Sequence, residues 1–152
     1  MLYFAYGSNM DWERITDRDR APSAQFLLKA TLPGYKLAFT RCSEKQQTGT
    51  ADVVLCSGGL VWGVVFEIDP GDSDKLDAAE GVNFRAYRPE PITVLAENDA
   101  TRHLRVLTYV VCQKAATHQP PAPWYLNHIV NGAIRWDLPA EYRAEIQRIQ
   151  TS

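Results

Sequence analysis

Apolar and polar positions along the 152-residue chain change their period several times, and the changes mark out its elements. Residues 2–6 are apolar and aromatic, the pattern of a buried strand, and Gly7-Ser8-Asn9 ends it. A short helix is predicted over about residues 10–17, with Asn9 or Asp11 as its cap. Residues 25–32 and 35–41 read as two strands separated by the turn dipeptide Pro33-Gly34, and the polar stretch 45–50 as a loop. Residues 51–56 and 60–68 are rich in β-branched and aromatic side chains, and Gly58-Gly59 between them predicts a tight hairpin. Both runs are almost continuously apolar, which points to a closed or covered sheet.

Helical signals follow. Pro70-Gly71-Asp72-Ser73 opens a helix that ends near Glu80, with Gly81 as its stop. Residues 87–95 and 104–112 read as two more strands joined by the polar Glu97-Asn98-Asp99 turn. The proline-rich stretch 119–123 is a short connector within one core, not a linker between domains. Beyond it, Leu126, Ile129, Val130 and Ala133 define one apolar face of a helix. Pro139 suits the first turn of a last helix carrying Tyr142, Ile146 and Ile149. The expected fold class is α+β: a small barrel-like mixed sheet of six or seven strands with packed helices, in a single domain over residues 1–152.

Composition narrows the function. Sixteen basic against eighteen acidic residues leave a net charge of −2, which speaks against a nucleic-acid partner. No run reaches the ~18 apolar residues of a membrane span. The first ten residues lack the basic flank and long apolar stretch of a signal peptide, so a cytoplasmic location is expected. Three widely spaced cysteines, Cys42, Cys56 and Cys112, suit neither a disulfide framework nor a zinc site. The histidines show no paired spacing, so no metal is expected. No G-x-S-x-G elbow, G-x-G-x-x-G or P-loop occurs.

Two places could carry chemistry. Tyr6-Gly7-Ser8-Asn9 follows a strand and opens a helix, so its amides could face a carboxylate or an oxyanion; a plain strand-to-helix turn has the same composition. Glu80 stands in the last turn of its helix, where the free carbonyls disfavour a carboxylate and raise its pKa. A solvated helix end would also accommodate it. Asp77 and Glu90 read as solvated surface charge, and Tyr87, Tyr109 and Tyr125 as half-buried tyrosines with satisfied hydroxyls.

Taken in order, these segments resemble the γ-glutamylcyclotransferase family. Leu2-Tyr3-Phe4-Ala5-Tyr6-Gly7-Ser8-Asn9 is similar to its opening signature, and Val61-Trp62-Gly63-Val64-Val65-Phe66 to its central strand. Leu76-Asp77-Ala78-Ala79-Glu80-Gly81-Val82 resembles its catalytic-glutamate segment, with Tyr87 seven residues on. Tyr109, Pro123-Trp124-Tyr125, Gly132-Ala133 and Leu138-Pro139-Ala140-Glu141-Tyr142 resemble further family positions. Ser8-Asn9 distinguishes the chain from the γ-glutamylamine branch, with Tyr-Gly-Thr-Leu, and the glutathione-degrading branch, with Tyr-Gly-Ser-Leu. The stretch 42–50 and Asn83-Phe84-Arg85 differ from the vertebrate members, where a leaving group would be read.

The resemblance implies that the α-amine of a small γ-glutamyl substrate attacks its own γ-carbonyl, giving 5-oxoproline and a free amine. Glu80 would be the catalytic acid–base; Tyr6, Gly7, Ser8, Asn9, Tyr87, Tyr109 and Tyr125 would bind substrate; no cofactor or metal is implied. Relatives include dimers, so a homodimer is compatible with it. Two other readings stay open: a cyclotransferase that removes a γ-glutamyl protecting group from a biosynthetic intermediate, and a non-catalytic binding module on the same fold.

Overall fold

The structure, a computed structural model, describes residues 1–152. Its sheet is built from β1 (Leu2–Ala5), β2 (Gln25–Ser43), β3 (Thr48–Glu67), β4 (Tyr87–Ala96) and β5 (Asp99–Val111). These close into a barrel in the order β1-β3-β2-β4-β5. Every pairing is antiparallel except that of β1 with β5, where Tyr3 lies opposite Leu107, so the sheet is mixed. Helices α1 (Trp12–Ile15), α2 (Ser73–Ala79), α3 (Pro123–Arg135) and α4 (Ala140–Gln147) complete the α+β fold. No helix is long and apolar enough to cross a membrane.

The strands number five rather than six or seven, because neither glycine dipeptide reverses the chain. Pro33 faces Leu60 and Tyr35 faces Leu55, so residues 56–59 stand opposite Gly34 alone. Gly34 and Gly58 take positive φ angles of 81° and 77° there. A bulge of this kind bends the ladder and sharpens its twist. It makes one long hairpin where a turn at Pro33-Gly34 and a tight hairpin at Gly58-Gly59 were expected. The reversal falls at residues 44–47, with Gln47 at φ 56°, and Thr48–Thr50, expected as loop, begin β3.

The predicted helix over residues 10–17 is also shorter. A 3-10 turn, Ser8–Met10, comes first, then the single turn of α1, capped by Asp11, whose side chain accepts the Glu13 amide at 3.0 Å. Asn9 is thereby released from capping. The apolar face of α3 buries Leu126, Ile129 and Ala133 as its spacing predicts. Gly132 on that face touches Met10 so closely that a Cβ would stand 2.4 Å from the Met10 Cβ. Trp136 Nε1 donates to the Met10 carbonyl at 2.8 Å. These contacts clamp the 3-10 turn at the end of β1. Phe4, Val64, Phe66 and Leu76 are fully buried in the core, each side chain contributing about 1.5–3 kcal/mol of burial.

Candidate active site

Helix α2 ends where its sequence says it should. The Glu80 amide donates to the Leu76 carbonyl at 3.0 Å, and Gly81, at φ 68°, turns the chain away in the left-handed region that favours glycine. The Glu80 carboxylate meets Asn9, whose Nδ2 donates to Oε1 at 2.7 Å. Arg20 Nη1 stands 3.7 Å from the same oxygen and donates to Asn9 Oδ1 at 3.1 Å. A guanidinium can only donate, so Arg20 fixes the Asn9 oxygen toward itself and leaves the amide NH2 for Glu80 and for Tyr3 Oη, 3.0 Å away.

The Glu80 side chain is 15% exposed. Burial pushes its pKa above the ordinary glutamate value, and Arg20, Asn9, Arg14 and Arg41 offset the rise. The raised pKa agrees in direction with the sequence argument, but burial is the largest cause, ahead of any helix-end effect.

The turn facing Glu80 carries three first-turn amides, those of Gly7, Ser8 and Asn9, and none enters a turn or cap hydrogen bond. Ser8 Oγ accepts Arg14 Nε at 3.0 Å. Burial, then the neighbouring Arg20, lowers the Arg14 pKa.

Besides Tyr3, four tyrosines surround this centre, and all five are buried. Tyr6 donates to the Tyr109 carbonyl, Tyr109 to Asp77, and Tyr87 to the Ala51 carbonyl. In this structure their protons are held by protein acceptors, and the three side chains wall the site. Tyr125 differs: its oxygen accepts the Ala51 amide at 3.1 Å, and the Ser8 side chain is its other hydrogen-bonding neighbour. One residue, Ala51, thus orients two tyrosines through its backbone. Next to it Asp52 is fully buried, accepting Lys114 Nζ at 2.6 Å, Thr40 Oγ1 at 2.8 Å and the Val111 amide at 3.1 Å. This network holds β3 against the end of β5.

Two spaces share Glu80 in their walls. An inner recess of about 30 Å³, bounded by Gly7, Asn9, Tyr3, Tyr6 and Tyr109, has room for a water-sized group. An outer cleft of about 610 Å³ runs past Arg14, Arg20, Arg41, Lys45 and Phe84. Ser8, Glu80, Tyr87 and Tyr125 line both. The structure thus brings together every residue singled out in the sequence: Tyr6, Gly7, Ser8, Asn9, Glu80, Tyr87, Tyr109 and Tyr125.

The model of the AIG2-like family matches residues 60–146. Gamma-glutamylcyclotransferase of Bos taurus is 35% identical over 98% of this chain and 78% of its own length. The Homo sapiens protein of the same name is 33% identical over the same shares. The chain belongs to the γ-glutamylcyclotransferase family. A solved γ-glutamyl cyclotransferase structure superposes with a TM-score of 0.90 at 32% identity, covering 99% of this chain and 88% of that one. The γ-glutamylcyclotransferase relatives make this chain an enzyme of the cyclotransferase type.

Sequence reasoning missed several residues of this candidate site. Arg20 lies in a polar segment with no motif. Tyr3 looks like strand filler, and Arg14 like a solvated helix charge. Asp77, expected as surface charge, binds Tyr109. Its spacing of three from Glu80 was the available signal, since such positions share a helix face.

Proposed function

We propose that this cyclotransferase converts a γ-glutamyl amino acid or γ-glutamyl amine into 5-oxoproline and the free amine. The substrate α-nitrogen forms a bond to its own γ-carbonyl carbon, and the bond from that carbon to the leaving nitrogen breaks. At neutral pH the attacking group begins as an ammonium and the leaving group ends as one. Two protons therefore pass from one nitrogen to the other, with no net uptake or release.

Glu80 is suited to carry them. Its raised pKa, due to burial, moves it toward the working pH, where a single group accepts and returns a proton efficiently. The free amides of Gly7, Ser8 and Asn9 beside the recess can hold the oxyanion of the tetrahedral intermediate. Tyr125, which lines both recess and cleft beside Ser8, can turn its hydroxyl toward substrate. The walls of Tyr6, Tyr87 and Tyr109 would keep the glutamyl chain folded on itself, the near-attack geometry on which ring closure depends.

The observation that carries this reading is the buried Glu80–Asn9 pair at the junction of recess and cleft. The test is to incubate the protein with γ-glutamyl dipeptides, γ-glutamyl-ε-lysine and glutathione, and assay 5-oxoproline. Release from at least one is expected. Thermal stabilisation by 5-oxoproline with no product from any would establish a binding module instead.

A further inference from the structure

The outer cleft holds three groups that make no ion pair or hydrogen bond with Glu80. Arg14 and Arg20 are occupied by Ser8, Asn9 and Glu80. Arg41, at the end of β2, and Lys45, in the turn after it, line the same cleft and enter no ion pair or side-chain hydrogen bond. On the cleft wall formed by the chain after α2 stands Phe84, 87% exposed. Its place is held by a tight turn, with the Phe84 amide donating to the Gly81 carbonyl at 3.0 Å and that of Arg85 to Val82 at 3.1 Å. Arg85 takes φ 56°, a left-handed conformation costly for a residue with a Cβ. A strained turn here presents a large apolar ring to water at the mouth of a cleft.

Unpaired cations and a bare phenyl ring in one cleft are complementary to a molecule with a carboxylate and an apolar group diverging from one carbon. An amino acid with a bulky apolar side chain has that form. Glu44, on the same wall, opposes an acidic side chain. We propose that Phe84, Arg41 and Lys45 form a leaving-group subsite that selects γ-glutamyl dipeptides ending in a bulky apolar residue with a free carboxylate. This rests on the cyclotransferase reading above and narrows it.

The test compares kcat/KM for 5-oxoproline release from γ-glutamyl-phenylalanine, γ-glutamyl-glycine and γ-glutamyl-phenethylamine, the last having the ring without the carboxylate. γ-Glutamyl-phenylalanine is expected to exceed each of the others by about tenfold, the lower end for pocket discrimination of this kind. Phe84→Ala should collapse the phenylalanine-to-glycine ratio, and Arg41→Gln the phenylalanine-to-phenethylamine ratio. Thermal melts establish that both variants are folded. Equal or better use of γ-glutamyl-glycine, or ratios that survive the substitutions, overturns the subsite and leaves the cyclotransferase reading standing. Absence of 5-oxoproline from all three, and from the wider panel above, overturns both.

Discussion

The Tyr109 hydroxyl, on β5, donates to Asp77, three residues before Glu80 on α2. The carbonyl of the same Tyr109 accepts the Tyr6 hydroxyl. One residue therefore ties the strand that leads into the Gly7 turn to the helix that aims the carboxylate.

Asp77 should consequently act through position. Loss of one such hydrogen bond is worth about 1 kcal/mol. Asp77→Asn and Tyr109→Phe are expected to lower kcat about fivefold without abolishing it. Glu90, paired with Arg88 on an exposed strand face, is the control, and Glu90→Gln should retain full activity. Steady-state kinetics of the three variants decide the matter; an unaffected Asp77→Asn would remove the tether from the account.

Glu80→Gln keeps the oxygen that accepts from Asn9 but cannot take a proton. Turnover is expected to fall by about 10²–10⁴, the usual worth of a positioned acid–base group. Binding of 5-oxoproline, followed by calorimetry, should persist. Near-normal turnover in this variant would put the proton transfer on another group.

Burial holds the Glu80 pKa above its ordinary value of 4.5. Between that value and the raised one, the folded protein binds more protons than the unfolded chain. Stability from this group therefore falls as pH rises through the window. Glu80→Gln lacks this dependence, so its Tm relative to the parent should rise across the same window and then level off. Over that range kcat/KM of the parent should climb, because the base must be ionised to act. Melting curves and rates at matched pH values test both limbs, and a flat Tm difference would contradict the raised pKa.

Gly7 has φ −117°, so its backbone does not demand glycine. Space does: a Cβ would lie 3.1 Å from the Ala51 Cβ. Gly7→Val should push the turn away from the residue that orients Tyr87 and Tyr125, withdrawing an oxyanion donor. A loss of about 10²–10³ in kcat is expected, as for removal of one such donor. Gly7→Ala should lose less, because a small displacement of the turn relieves it. Equal activity in glycine and valine forms would place the oxyanion elsewhere.

The site was legible where chemistry and chain geometry coincide. Gly81 ends a helix by a local rule, and Glu80 immediately before it breaks one, so both stand out in one dimension. Arg20 did not, because its meaning comes from an oxygen of Asn9 brought to it by folding. The fold shows the same division. The apolar face of α3 follows from its own spacing, whereas Gly58-Gly59 permits either a turn or a bulge. Which forms is decided by the partner strand, where Pro33 and Tyr35 keep pairing on both sides. The tyrosines were located but their protons were not, since a hydroxyl's acceptor on Ala51 or Asp77 is a tertiary contact.

The barrel closes through the parallel meeting of β1 and β5, at Tyr3 and Leu107. That seam joins segments about a hundred residues apart, the kind of contact whose loop-closure entropy slows folding most. The recess is bounded by residues from both sides of the seam, Tyr3 and Tyr6 from one and Tyr109 from the other. Late formation of this seam is the expected consequence, and catalytic competence should follow it. In refolding from denaturant, recovery of turnover should lag behind recovery of strand and helix signal in circular dichroism.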